Sequence, residues 1–187
     1  MNPVLLDFPH EFSSDRLFIR IPLPGDGPFV HDAVKHSLKE LQPWMPFAQE
    51  LSSLEDMEAN IREAHAAFLL RKDLRLHIFH KEEGYFIGST GFHRLDWKTK
   101  KVEIGYWIDS RYSGKGYMRE AVQALTDFAF THFEANRVEI RCDELNVKSR
   151  RVAETVGFEL EGILRNESLA VDGKTLRNAC IYSKIRE

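Results

Sequence analysis

The sequence predicts a single mixed α/β (or α+β) domain spanning 1–187, with a mostly antiparallel central sheet of about seven strands flanked by four helices. Three observations carry this reading. The spacing of apolar residues switches repeatedly between the two-residue period of strands and the 3.6-residue period of helices. One strand–helix–strand unit, whose crossover is expected to be right-handed, lies among antiparallel hairpins. The 187 residues, 43% hydrophobic and 29% charged, suffice for one ordinary core.

The elements follow in the order β-α-α-β-β-β-α-β-α-β-β. Leu17, Ile19 and Ile21 alternate with Phe18 and Arg20 as a strand that Pro22 and Pro24 end. Phe29, Ala33, Val34 and Leu38 recur at helical spacing to about Leu41, and the apolar loop Pro43-Trp44-Met45-Pro46 follows. Ser52 and Ser53, each with an acid three residues on (Glu55, Asp56), read as the capping box of a second helix ending near Arg71. From Leu74 the period is two. Leu74–His80 and Tyr85–Leu95 flank the turn Glu82-Glu83-Gly84, and Val102–Asp109 continues the meander. A stripe from Met118 through Val122, Leu125 and Phe133 predicts a long helix ending near Asn136. Val138, Ile140 and Cys142 alternate as a strand, and Asn146 to Val156 forms a short helix stopped by Gly157. Phe158–Arg165 and Lys174–Ile185 close the chain as a hairpin around Asp172-Gly173.

Composition excludes several functions. Twenty-six Lys and Arg against 29 Asp and Glu give a net charge of −3, which argues against nucleic acid or an anionic membrane as partner. It leaves room for a small anionic ligand held by local cations. Two cysteines, Cys142 and Cys180, exclude a disulfide framework and leave either one bridge or two reduced core thiols, the second reading pointing to a cytoplasmic protein. Met1 to Ser14 carries no Lys or Arg and does not read as a signal peptide, and no apolar run approaches the roughly 20 residues of a membrane span. No His-Glu-x-x-His or Cys-x-x-Cys occurs, so no metal is expected, and histidines such as His77, His80 and His93 read as structural.

The most informative stretch is Ile104-Gly105-Tyr106-Trp107-Ile108-Asp109-Ser110-Arg111-Tyr112-Ser113-Gly114-Lys115-Gly116-Tyr117-Met118. A strand ends, a loop with two glycines follows, and a helix begins at once. Glycines let backbone N–H groups converge, and the helix N-terminus adds free donors and partial positive charge. Such a loop suits a phosphate or pyrophosphate, with Arg111 and Lys115 as local cations. The nucleotide P-loop fails because Tyr117 follows Gly116, and the dinucleotide fingerprint fails because Arg119 stands at the third glycine position. A plain strand-to-helix turn is the alternative.

A second segment, Asn146-x-x-Ser149 followed by Gly157-Phe158, stands about thirty residues after Arg111-x-x-Gly114-x-Gly116. With these two motifs at this spacing, and this order of elements along nearly the whole chain, the sequence resembles the GNAT superfamily of acetyl-CoA-dependent N-acetyltransferases. Trp44-Met45-Pro46 and Glu103-Ile104-Gly105-Tyr106-Trp107-Ile108 look like its RimJ/RimL branch, which includes enzymes that acetylate the N-terminal amines of ribosomal proteins. The resemblance implies acetyl-CoA as co-substrate and a cleft where the strand ending at Ile108 splays from the strand ending near Asp143. Pantetheine would pair with the backbone at Trp107 and Ile108, and the pyrophosphate would sit on N–H groups between Arg111 and Tyr117, with Ser113 and Met118 in the same cradle. Asn146 and Ser149 would face the arm from the other wall. Lys115, Lys148, Arg150 and Arg151 are candidates for the 3′-phosphate, or a solvated face.

The chemistry restricts the remaining roles. An amine of pKa near 10 attacks a thioester only after losing its proton, so the site needs a base and a group to receive the thiolate. Glu103, in an apolar strand where burial raises a carboxylate's pKa, is the first candidate for base, with an ordinary salt bridge as the alternative. Glu167 is the second. The position seven residues after Asn146, where many family members carry an acid tyrosine, holds Ala153 here. Ser149, one turn after Asn146, is therefore the candidate to hydrogen-bond the sulfur. Trp44, Met45 and Phe47 either line an acceptor pocket or pack in the core. The expected partners are acetyl-CoA and an amine, on a protein N-terminus or a small molecule, with a homodimer left open. A non-catalytic acyl-CoA-binding module is the competing function.

Overall fold

The computed structural model describes residues 2–186. Its strands are β1 (Glu11–Ser13), β2 (Leu17–Arg20), β3 (Leu74–His80), β4 (Phe86–Asp96), β5 (Lys101–Ile108), β6 (Arg137–Asp143), β7 (Glu159–Leu169) and β8 (Leu176–Ile185). Its helices are α1 (Gly27–Leu41), α2 (Leu54–Leu69), α3 (Tyr117–His132) and α4 (Val147–Thr155). The strands form one sheet in the order β1-β2-β3-β4-β5-β6-β8-β7, antiparallel everywhere except between β5 and β6.

The predicted class and element order hold, with one strand added. Where about seven strands were expected there are eight, because Glu11–Ser13 pairs with β2 through Phe12↔Ile19. Three residues are too few to display a period, and this strand is fixed from a distance, by Phe12 stacking on Phe128 of α3 at 4.6 Å. Helix α3 also ends earlier than its apolar stripe suggests. Glu134 turns to φ +49°, and Ala135 then folds back to donate its N–H to Ala129 O at 3.1 Å. The stripe residue Phe133 is buried as the cap of α3 rather than inside it.

Two layers of helix cover the sheet. α1 and α2 close one face around Val30, Val34, Ile61, Phe79 and Phe86. α3 closes the other, packing Met118, Val122 and Leu125 among Leu17, Ile78, Ile104 and Val138. The predicted cap of α2 is present: Ser53 Oγ accepts from Asp56 N–H at 3.1 Å, and its hydroxyl donates to Asp56 Oδ2 at 2.7 Å. The two cysteines stand directly opposite each other on β6 and β8 as free thiols, Cys180 buried and Cys142 half-buried. Among the described residues, no helix is long and apolar enough to cross a membrane.

Two features of the sheet position the site. First, β5 pairs with β6 only through Lys101↔Arg137, Val102↔Val138 and Glu103↔Glu139, so the strands part beyond Glu103. Second, register sets Arg75, Gly91 and Gly105 side by side across β3, β4 and β5. The neighbouring rows are His77–Ser89–Trp107 and His93–Glu103. Because strand side chains alternate, these three rows share one face, the one under α1 and α2.

Candidate active site

The glycine loop lies where β5 feeds α3. Gly114 and Gly116 both have positive φ, +79° and +82°, which an L side chain adopts only at a cost. Gly116 is the N-cap of α3 and supplies no side-chain cap. Among the described residues, the backbone N–H groups from Gly114 to Met118 find no acceptor. Five donors in one short arc, beside the positive end of a sixteen-residue helix, form a cradle suited to a pyrophosphate.

The cations around this cradle differ from those the sequence suggests. Arg111 is a clamp: its Nε lies 2.9 Å from Asp109 Oδ2 and its Nη2 2.7 Å from Asp32 Oδ2 of α1. Its hydrogen bonds to Asp109 and to Asp32 raise its pKa further, despite some burial. Arg150 is likewise engaged, donating to Tyr182 Oη at 3.1 Å and Glu144 O at 3.2 Å. Lys148 and Arg151 are exposed on α4. Instead, Arg16 and Arg119 flank the glycines: a Cβ on Gly116 would meet Arg119 Nη2 at 3.0 Å and Arg16 Nη2 at 3.5 Å. Arg119 is legible in the sequence as the residue that breaks the dinucleotide fingerprint. Arg16 comes from the far end of the chain, and no local signal marks it.

The gap between β5 and β6 leaves the β5 backbone from Ile104 to Ile108 without a strand partner on that side, including Trp107 and Ile108. The opposite wall is α4. Asn146 caps it, its Oδ1 accepting from Ser149 N–H at 3.1 Å, which leaves the amide donors free. Ser149 Oγ donates to Tyr106 Oη at 3.1 Å, and Tyr106 donates to Ser149 O at 3.0 Å. Burial pushes the Tyr106 hydroxyl well above its ordinary pKa, so it stays protonated. Nothing in the sequence marks Tyr106 for this role, because it alternates in phase with Ile104 and Ile108 and so reads as core. Burial also pushes the Cys142 thiol up to about 11, which leaves it a poor nucleophile at neutral pH.

On the α1/α2 side the gap opens into a cavity of about 820 Å³. Trp44, Met45 and Phe47 all line it from the loop between α1 and α2. Phe47 packs on Trp107 at 5.8 Å between ring centroids, and Arg177 lies 5.1 Å over the Trp44 ring. Ser168, Ala170 and Asn178 of the last hairpin complete the wall. The floor includes Gly105, Arg75 and the imidazoles of His77 and His93.

The titratable groups here are mostly paired. His93 Nδ1 meets Asp73 Oδ2 at 2.6 Å, and its ring lies over Gly105, where a Cβ would come within 2.8 Å of Cδ2. His77 Nδ1 meets the buried Asp26 at 2.9 Å. Burial opposes ionisation of Asp26, yet hydrogen bonds from Arg20 and His77 hold its carboxyl far below the usual range. Glu167 is tied to Arg141 at 2.6 Å and Asp143 to Arg177 at 2.7 Å. Glu103 is different. It stands beside His93, set back from the cavity wall, and among the described residues its buried Oε2 has no hydrogen-bond partner. Arg94 Nη1 is ion-paired with it at 3.3 Å without hydrogen-bond geometry, so the salt bridge expected as the alternative is present. Burial raises the Glu103 pKa in spite of the positive charge of Arg94 and Arg141. Among the described residues, no group of three His, Cys, Asp or Glu side chains is placed to hold a metal ion.

The arrangement brings a phosphate cradle, an unpaired strand edge and a hydroxyl around one slot, with a cavity opposite and a carboxylate of raised pKa set back from it. Comparison with known proteins agrees. The family model for the acetyltransferase (GNAT) domain matches residues 16–159. The chain is 31% identical to YdaF of Bacillus subtilis (strain 168) over 161 residues, 86% of each protein. It is 31% identical to the ribosomal-protein-serine acetyltransferase of Escherichia coli (strain K12) over 132 residues, 71% of this chain and 73% of that one. In fold it matches the microcin C7 self-immunity acetyltransferase MccE, solved with acetyl-CoA and AMP, at a TM-score of 0.85 and 24% identity, covering 92% and 94% of the two chains. By the extent of the family match and its agreement with the glycine cradle and the parted strands, this chain belongs to the GNAT acetyltransferase family.

Proposed function

We propose that this N-acetyltransferase moves the acetyl group of acetyl-CoA directly to the α-amine of a protein N-terminus, in a ternary complex, without an acyl-enzyme. The single observation that carries this is the parting of β5 from β6 beyond Glu103, with a donor-rich cradle at one end and the cavity opening beside it. The N–H groups of Gly114, Lys115, Gly116, Tyr117 and Met118 would hold the pyrophosphate, with Lys115 and Arg119 adding charge, Arg16 paired with Glu120 beside them, and Arg111 and Ser113 shaping the loop. The free β5 edge at Trp107 and Ile108 would pair with pantetheine as a strand does, and the Asn146 amide would bond it from α4.

The residues of the chain then divide the proton work. Ser149, held beside Tyr106, turns its one hydroxyl proton from Tyr106 Oη to the sulfur as negative charge develops there. Glu103 takes the proton from the acceptor ammonium, relayed through His93 or a water because Glu103 is set back from the cavity. Its buried oxygen, ion-paired with Arg94 but without a hydrogen bond, and its raised pKa favour it over Glu167, which is hydrogen-bonded by Arg141. Trp44, Met45 and Phe47 enclose the acceptor residue. The protein-terminal acceptor is supported by the ribosomal-protein-serine acetyltransferase relative. A cytoplasmic setting is supported by the two unpaired thiols.

The test is a thiol-release screen with acetyl-CoA against peptides beginning with Ala or Ser, polyamines and aminoglycosides. Turnover of the peptides, with acetyl found on the α-amine by mass spectrometry, is expected. Turnover of polyamines or aminoglycosides alone would replace the acceptor class. Tight acetyl-CoA binding with no amine turned over would replace the enzyme by a binding module.

A further inference from the structure

The cavity on the α1/α2 side holds one charge without a counterpart. Its lining carries three guanidinium groups, Arg75, Arg141 and Arg177. Arg141 is paired with Glu167 and Arg177 with Asp143, each at 2.6 to 2.7 Å. The two lining imidazoles also have carboxylates, Asp26 for His77 and Asp73 for His93. Arg75 has none: among the described residues no carboxylate comes within ion-pair distance, and its one hydrogen bond is Nη1 to the neutral Asn60 Oδ1 at 2.6 Å. Asp56, the other lining acid, is exposed and held by Ser53 at its own helix cap.

A half-buried guanidinium without a partner is costly, because it gives up hydration and recovers little. Burial lowers its pKa, and the charges of Asp73 and Glu63 only partly restore it. Arg75 lines the same cavity as the parted strands. Its neighbours in the row are Gly91 and Gly105, which raise no side chains of their own, and the His93 ring lies over Gly105. A Cβ on Gly91 would meet Leu74 O at 2.7 Å and Arg75 Cα at 2.9 Å, so this floor admits only glycine without displacement. Strands lie about 4.8 Å apart, so Arg75 is rooted about 10 Å from β5. A carboxylate on its guanidinium would stand within one or two extended residues, about 3.5 Å each, of an amine at the gap.

We infer that Arg75 binds a carboxylate of the acceptor, so that the favoured substrate is a polypeptide whose first or second residue is acidic. The inference rests on the proposed acetyl transfer at this site and adds the substrate's charge. Planar two-point pairing suits a guanidinium to a carboxylate better than to any neutral side chain. Arg75 is thus a binding residue: it fixes the register of the acceptor chain and leaves the reacting atoms to others.

The experiment compares kcat/KM for peptide pairs that differ only in Glu against Gln at the second residue, with Ser first, in the wild type, Arg75→Gln and Arg75→Lys. The wild type is expected to favour the acidic peptide by about tenfold or more. Arg75→Gln should bring the ratio near one while still turning over the Gln peptide, and Arg75→Lys should keep part of the preference. The ratio is read within each variant, so a shared loss of folded protein cancels. Free aspartate and glutamate form a further arm; their outrunning the peptides would reassign the carboxylate to a free amino acid and overturn the polypeptide assignment. Equal rates for Glu and Gln peptides in the wild type, or a preference that survives Arg75→Gln, would overturn the inference while leaving acetyl transfer intact. If no amine is acetylated, the transfer reading fails separately. Calorimetric titration of the same peptides into acetyl-CoA-loaded protein then still decides whether Arg75 selects the acidic one.

Discussion

Replacing Ser149 by Ala isolates the step in which the thiolate departs. The hydroxyl stands at the third position of α4, held by the Asn146 cap and aimed through its 3.1 Å bond to Tyr106 Oη. Once sulfur carries charge, a hydrogen bond to it is worth about 1.5–3 kcal/mol. At about 1.36 kcal/mol per decade, its loss lowers kcat about 10- to 150-fold. The bond strengthens only as charge develops, so the KM for acetyl-CoA should move less than about threefold. The fold should lose only about 1 kcal/mol, since the hydroxyl is half-buried and its partner Tyr106 keeps its bond to Ser149 O. Tyr106→Phe removes the group that aims Ser149 and should show a smaller fall in kcat, about three- to tenfold. Initial rates by thiol release at saturating substrates, with thermal melts as control, decide the matter. Full kcat in Ser149→Ala, or a defect confined to KM, would refute the role.

Other substitutions test other parts of the site and fold. Gly116→Trp places a large side chain at φ +82°, where even a Cβ meets Arg119 at 3.0 Å; calorimetry should show acetyl-CoA binding lost while the protein stays folded. Glu103→Gln should preserve acetyl-CoA binding and lower turnover. It should also raise the melting temperature, because the raised pKa of Glu103 means its ionisation opposes folding. The wild type loses stability as pH rises through that pKa, so the gain in Glu103→Gln should be larger at pH 8 than at pH 5. Asp26→Asn removes the negative charge and one of the two acceptor oxygens that Arg20 and His77 share in a buried cluster and should cost about 3–5 kcal/mol by denaturant unfolding. Its depressed pKa makes the wild-type advantage present above the unfolded value near 4 and lost as pH falls through the lower folded value.

Much of this fold was legible because its period changes are sharp. Helix α2 announced itself by Ser53 and Asp56, and β3 to β5 by clean alternation, and each lies close to its expected place. The three residues of β1 were not, since their strand state depends on Phe12 finding Phe128 more than a hundred residues away. At the site, the glycine cradle and the Asn146–Ser149 pair are local motifs, and the sequence displays local motifs well. Arg111 shows the limit. As a loop arginine it reads as a phosphate ligand, yet Asp32 arrives from α1 and Asp109 from its own turn to neutralise it. Tyr106 and Arg75 show the converse: each reads as an ordinary strand residue, and only the parted strands and the glycine row give them partners or deny them one. Charge pairing is a property of three-dimensional neighbours, so it is the part of a site that sequence order conveys least.

Direct transfer across the gap between β5 and β6 is the central claim, and initial velocities over a grid of acetyl-CoA and acceptor-peptide concentrations test it most directly. Transfer within a ternary complex predicts intersecting double-reciprocal lines and no acetyl on the protein after incubation with acetyl-CoA alone. Parallel lines, with an acetyl group trapped on Cys142 or another side chain, would contradict it.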